Sequence, residues 1–329
     1  MKYVKILSDR VQCEICPRRC TLKENQRGFC YVRKNVEGRL ILETFGYNTG
    51  LAVDPVEKKP MYHFYPSSTA LSFGTLGCIM GCLFCQNSHI TKIKMPIEEC
   101  QKISPDEIIE TAKRYNCKSI AFTYNDPIAF FEYAIETAKL ARAEGIKTIA
   151  VTSGYMNPEP NKEFFNLMDG ANIDLKGFSE EFYSKNCGAH LQPVLDTIKY
   201  VVNETDCFVE LTTMIIEGEN DNDIEKECDW ILDNLGCNVP LHFSAFTPRY
   251  KFSDRYQTKF ETLLKAYNIA LNKGINYVYT GNLSTIETST TYCKNCKKPL
   301  IIRNGYKIIE NNLNNGCCKF CNEKTDGRF

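Results

Sequence analysis

Between residues 70 and 285 short apolar runs alternate with longer stretches of helical period. Runs of strand length fall at 70–75 (ALSFGT), 119–124 (SIAFTY), 147–153 (KTIAVTS), 171–176 (ANIDLK), 207–214 (CFVELTTM), 240–246 (PLHFSAF) and 276–282 (NYVYTGN). Amphipathic segments separate them. SPDEIIETAKRY opens with Ser104 as a cap, Pro105 at the first helical position and Glu107 three residues on. DPIAFFEYAIETAKLARAEG carries apolar residues at helical spacing and stops at Gly145; NDIEKECDWILDNLG and TKFETLLKAYNIALNKG repeat the design. Strand and helix in alternation predict parallel strands joined by right-handed crossovers. Six or seven such units make a partial or closed TIM-like barrel, with a doubly wound open sheet as the competing topology.

The 329 residues are 43% hydrophobic and 24% charged, enough apolar content for a real core, so global disorder is excluded. Formal charge is zero, but it is unevenly placed. Residues 1–69 hold 12 Lys/Arg against 7 Asp/Glu and residues 286–329 hold 8 against 4, leaving the middle with an excess of nine acids. This divides the chain into a basic segment 1–69, an acidic barrel 70–285 and a basic segment 286–329. Solvated surface lysines explain the flanks adequately; an anionic partner, RNA or protein, is the sharper alternative. No apolar run is long enough to span a bilayer, so no membrane association is expected.

The 18 cysteines are the outlier. The opening MKYVKILSDRVQCEIC has no apolar leader pattern, and a chain of this length has no need of disulfides, so a cytoplasmic setting and metal binding are expected. Cys13, Cys16, Cys20 and Cys30 form an uneven N-terminal quartet; Cys78, Cys82 and Cys85 form a C-x3-C-x2-C loop after the first strand; Cys293/Cys296 and Cys318/Cys321 form two C-x2-C knuckles. The C-terminal knuckles, with Cys317 adjacent, read as a zinc-ribbon-like module, and a rubredoxin-type iron site has the same ligands. The N-terminal quartet suits zinc or a second, fully ligated [4Fe-4S] cluster; Pro17, Arg18 and Arg19 crowd the run without a ferredoxin-type motif, which favours zinc. The remaining seven cysteines read as inert buried thiols.

Three thiolates on a Gly-flanked loop at the C-terminal end of a barrel strand bind three corners of a cubane and leave one iron without a protein ligand. A zinc site completed by His89 or by a residue distant in sequence, and three buried thiols, are the bland alternatives. With Phe84 just before the last cysteine, C-x3-C-x2-C resembles the signature of the radical S-adenosylmethionine (SAM) enzymes. TYNDP (123–127), VTSGY (151–155), NIDLK (172–176), the ELTTMIIEGENDND stretch from Glu210, PLHFSAFTPRY (240–250), VYTGN (278–282) and both cysteine-rich ends resemble the AmmeMemoRadiSam-system radical SAM enzymes, which are similar to pyruvate formate-lyase activating enzyme.

The resemblance implies a partial TIM-like radical SAM barrel between the two cysteine-rich modules. It implies a [4Fe-4S] cluster on Cys78, Cys82 and Cys85, at which SAM is reductively cleaved to a 5'-deoxyadenosyl radical that takes hydrogen from a substrate. It places Tyr124, Asn125 and Asp126 at the SAM amino group, Lys176 near the SAM carboxylate with Asp174 positioning it, and Ser153 and His242 within the cofactor's reach. Asp126 departs from the family's Glu and Ser153 from its Asn, shortening one reach and halving one hydrogen-bond set. His242 is otherwise a satisfied core histidine, and Cys187 an inert thiol rather than a substrate-handling one. A low-potential electron donor such as flavodoxin or ferredoxin is implied, as are Memo-type and AMMECR-type protein partners. Rival functions are a glycyl-radical-enzyme activase, an RNA- or protein-modifying radical enzyme, and a non-catalytic iron–sulfur or zinc scaffold.

Overall fold

The computed structural model describes residues 2–92 and 96–329. Its centre is one eight-stranded sheet of β1 (Leu51–Pro55), β2 (Thr69–Phe73), β3 (Ser119–Phe122), β4 (Lys147–Thr152), β5 (Gly170–Asp174), β6 (Phe208–Ile215), β7 (Leu241–Ala245) and β8 (Val278–Gly281). The strands lie in sequence order with no reversal, β2 to β8 parallel and β1 antiparallel on the edge. A doubly wound sheet requires a reversal of strand order, so the architecture is the partial TIM-like barrel, open between β1 and β8. The strand β1 comes from the basic first 69 residues and nevertheless completes the barrel sheet.

All seven expected strands occur. Their apolar runs were long because both faces are covered: β3 is buried at each of its four positions. The expected helices become α1 (Pro105–Arg114), α2 (Phe131–Ala143), α5 (Ile224–Leu235) and α6 (Phe260–Lys273), while α3 (Pro158–Phe165) and α4 (Leu191–Glu204) complete the ring. The Ser104 capping box forms in both directions. Gly274 closes α6 at φ 104°, a left-handed conformation that a Cβ disfavours. The helix α2 starts five residues later than its period suggests, because the Asp126 carboxylate accepts from the Ile128 N–H and holds the chain in a turn first.

The two cysteine-rich modules occupy opposite ends of the barrel. The N-terminal one, built from the three-stranded sheet Val4–Ile6, Val11–Cys13 and Thr21–Leu22 and the hairpin Arg33–Val36/Arg39–Leu42, sits at the C-terminal ends of the strands. There Asn157, just beyond β4, donates to the Glu14 and Cys16 carbonyls, and buried Arg33 forms a two-bond pair with Glu132 at the start of α2. The C-terminal module covers the other end. Fully buried Arg303 donates to the Tyr62 carbonyl (2.6 Å) and lies over its ring, and the His63 imidazole bridges the Asp326 carbonyl and the Tyr279 hydroxyl. No described helix is long and apolar enough to cross a membrane.

Candidate active site

The C-terminal ends of four neighbouring strands converge. The loop after β2 carries Cys78, Cys82 and Cys85; Tyr124, Asn125 and Asp126 follow β3; Ser153 follows β4; Asp174 ends β5, with Lys176 two residues beyond. Strand order alone brings them together, since each belongs to a different βα unit.

The cysteine loop is held from many sides. The Asn125 amide donates to Thr75 Oγ1, the Leu76 carbonyl and the Gly77 carbonyl, while its oxygen accepts from the Thr75 N–H. Lys92 donates to the Met80 carbonyl and Arg18, from between Cys16 and Cys20, to the Ile79 carbonyl. The turn Tyr183–Cys187 is bonded to the loop's main chain, Cys187 accepting from Gly81 (2.8 Å) and Asn186 from Leu83 (2.9 Å). Gly77, at φ 76°, lies so close to the Cys30 carbonyl that a Cβ would come within 2.1 Å of it, so glycine is required there. The three thiols are thereby fixed before any cofactor arrives, which favours a preorganised site.

Charge is arranged around the thiols. Lys176 Nζ pairs with Asp174 at 2.6 Å next to Cys82, and this neighbourhood raises the lysine's pKa against its burial. A hydrogen bond with Cys187, with Lys176 and Lys92 assisting against burial, holds the Cys82 thiol down to about 7, whereas burial and then Asp126 push Cys78 up to about 12. Neither this set nor the N-terminal quartet gathers three sulfurs within 4.8 Å of one another, so neither is a compact single-ion site. Among the described residues the C-terminal quartet is the one compact set: Cys293 and Cys321 sulfurs are 3.6 Å apart, Cys296 and Cys318 3.7 Å, and all four lie within 4.8 Å. Those four fit a single tetrahedral ion.

The expected SAM residues separate into groups. Lys176 and Asp174 pair with each other in the neighbourhood of Cys82. The Asn125 and Asp126 side chains are engaged within the protein: Asn125 braces the cysteine loop, and Asp126 accepts from Thr152 Oγ1, Ser153 N, Ser153 Oγ and Ile128 N. Ser153 is thus Asp126's partner. Tyr124 stands at φ 70° with its hydroxyl on Asp54 and its carbonyl accepting from Asn87. His242 lies away from the group. It is the second residue of β7, towards the barrel's opposite end, where its Nε2 meets Glu210 at 2.7 Å between the Tyr62 and Tyr279 rings. Its place in PLHFSAF suited either role, and the structure makes it the core histidine. His89, in the short helix Ser88–Thr91, is not grouped with the triad as a compact ion site. Arg18, Lys92 and Asn157 were invisible as site residues because each acts through a main-chain carbonyl distant in sequence, which leaves no spacing pattern.

The Radical SAM superfamily profile matches residues 73–231. Over 330 aligned residues the chain is 41% identical to the Methanocaldococcus jannaschii protein MJ0808, covering 99% of this chain and 98% of that one. Among solved structures, TYW1 with a lysine-pyruvate adduct bound aligns at TM-score 0.49 and 15% identity over 73% of this chain and 88% of that one. A domain of a pyruvate-formate lyase-activating enzyme from Bacteroides vulgatus aligns at TM-score 0.43 and 18% identity over 50% and 99%. The chain belongs to the radical SAM superfamily and is a radical SAM enzyme, a family whose members use SAM and a [4Fe-4S] cluster.

Proposed function

We propose that Cys78, Cys82 and Cys85 hold the [4Fe-4S] cluster and that the chain's substrate meets the radical at the C-terminal face of the barrel, beneath the N-terminal module. The observation that carries this is the triad itself: three preorganised thiols, spread beyond single-ion distance, with Lys176 and Asp174 beside Cys82. When bound there, the cluster and SAM together supply reductive sulfonium cleavage and a primary carbon radical for hydrogen abstraction. The chain's own residues position and protect. Lys176 offers a cation for the SAM carboxylate, its ammonium oriented by Asp174; the main chain of 124–126, locked by Asn125 and Asp126, supplies rigid donors and acceptors at the strand end. The N-terminal module closes one side of the site and restricts water.

The finer assignments rest on the sequence resemblance: a cytoplasmic enzyme reduced by a flavodoxin- or ferredoxin-type donor, working with Memo-type and AMMECR-type proteins, with zinc on Cys293, Cys296, Cys318 and Cys321. Anaerobically reconstituted protein with dithionite and SAM is expected to release 5'-deoxyadenosine. C78A, C82A or C85A should each reduce that release at least a hundredfold, as loss of a cluster ligand demands. Failure of the intact protein to cleave SAM would overturn the reading in favour of a metal scaffold. Co-purification with a Memo-type protein tests the partnership, and loss of RNA retention with rising salt tests the anionic-partner alternative.

A further inference from the structure

We propose that Cys13, Cys16, Cys20 and Cys30 hold a second [4Fe-4S] cluster rather than zinc. All four line one almost wholly apolar cavity, together with Arg18, Arg33 and Ile79. The chain supplies its own comparison. Its C-terminal quartet is drawn together to 3.6 and 3.7 Å with every sulfur within 4.8 Å of the others, close to the roughly 3.8 Å edge of a tetrahedron with zinc–sulfur bonds of about 2.3 Å. In the N-terminal quartet no three sulfurs come within 4.8 Å of one another, although all four face the same space. Sulfurs ligating a cubane stand about 6 Å apart, because a tetrahedron of irons lies between them. Two sulfurs on one zinc ion lie at most about 4.6 Å apart, so one zinc ion cannot hold three members of this quartet as they stand.

The surroundings fit a cluster of net negative charge. Arg33, buried at 3% exposure and paired with Glu132, acts electrostatically on both Cys13 and Cys30. A main-chain N–H points at one of the sulfurs, Phe29 donating to Cys20 Sγ at 3.5 Å. Hydrogen bonds to the sulfurs and exclusion of water are the levers that set a cluster's potential. With four cysteine ligands no iron is left open, so this cluster moves electrons rather than binding substrate. It abuts the triad's loop through Gly77 on the Cys30 carbonyl and Arg18 on the Ile79 carbonyl. One electron accepted from a low-potential flavin or iron–sulfur protein passes to the triad's cluster, the first centre being reoxidised as the second is reduced. This relay rests on the radical-enzyme reading; the presence of the cluster does not.

The test is metal and acid-labile sulfide analysis of the full chain carrying C78A/C82A/C85A, reconstituted anaerobically with iron and sulfide. About four sulfides per chain and a low-temperature EPR signal of a reduced [4Fe-4S] centre are expected. Adding Cys20→Ala should cut sulfide at least fourfold, with circular dichroism checking the fold. Absence of sulfide from the triad-free protein, with or without zinc in its place, overturns the proposal whether or not the Cys20 variant folds. A single iron held by the C-terminal quartet brings no sulfide and does not confuse the count. SAM cleavage by the intact protein is a separate readout, so failure of the radical chemistry and failure of this cluster are distinguishable.

Discussion

At the scale of single residues, the site separates groups that face the cofactor from groups that hold the backbone. Asp126 is the clearest of the second kind. Each carboxylate oxygen accepts a main-chain N–H, Ile128 on one and Ser153 on the other, so an amide in its place must set its NH2 against an N–H donor. D126N is expected to lower stability by about 2 kcal/mol in denaturant titrations and to reduce cluster loading, because the Asp126 side chain holds the main chain of 126–128 and 153 in place. Lys176 is of the first kind. K176A should weaken SAM binding about tenfold in anaerobic calorimetry while iron content holds, the loss of one charge-assisted contact. The cysteines themselves were legible from spacing, because a metal-ligating loop is local. The bracing by Asn125 and the displacement of His242 were not, since both depend on which strand neighbours which.

At the scale of elements, helix α5 carries an acid into the core. Glu227 is 1% exposed and lies 2.5 Å from Thr213 on β6, and burial pushes its pKa up to about 8 from 4.5. The hydroxyl of Thr213 is also 2.9 Å from the Leu175 carbonyl, and one proton cannot serve both acceptors. A protonated Glu227 resolves this by donating to Thr213, which donates to Leu175, the residue before Lys176. Between pH 4.5 and about 8 the unfolded chain loses this proton while the folded chain keeps it, so stability falls as pH rises through that window. E227Q is expected to be more stable than the parent by about 2 kcal/mol at pH 8.5, the gap closing by pH 5, as read from thermal melts. The helix period announced α5 and its apolar face; the one acid on that face could be placed only once β6 was beside it.

At the scale of the whole molecule, the zero net charge comes from two basic modules at opposite ends of an acidic barrel. Only the N-terminal one adjoins the triad, so a substrate drawn by basic charge to the radical site would meet that module and not the C-terminal one. The C-terminal module instead closes the barrel's far end through Arg303 and His63. His63 Nδ1 faces a carbonyl and must carry the proton, so Nε2 accepts from Tyr279, and burial lowers its pKa from 6.5 to about 4. Stability linked to it is complete above pH 6.5 and is lost as pH falls towards 4, because the unfolded chain takes up the proton first. Hydrogen exchange at 291–303 should rise selectively in this window. C318A, which removes one ligand of the compact C-terminal metal site, should increase exchange in the same segment and lower Tm by several degrees while leaving the cysteine triad able to load iron. By itself the sequence determined the strand and helix runs, the capping box and the three cysteine sets, because hydrophobic period, capping and ligand spacing are properties of a few neighbouring residues. Only the tertiary structure decided that the barrel stays open with β1 on its edge, that Asp126 and Asn125 brace the strand ends and the cysteine loop, that His242 belongs to the far end, and that one cysteine quartet is compact and the other is not. Each of those depends on distances between segments far apart in the chain, which are set by how the strands order and pack.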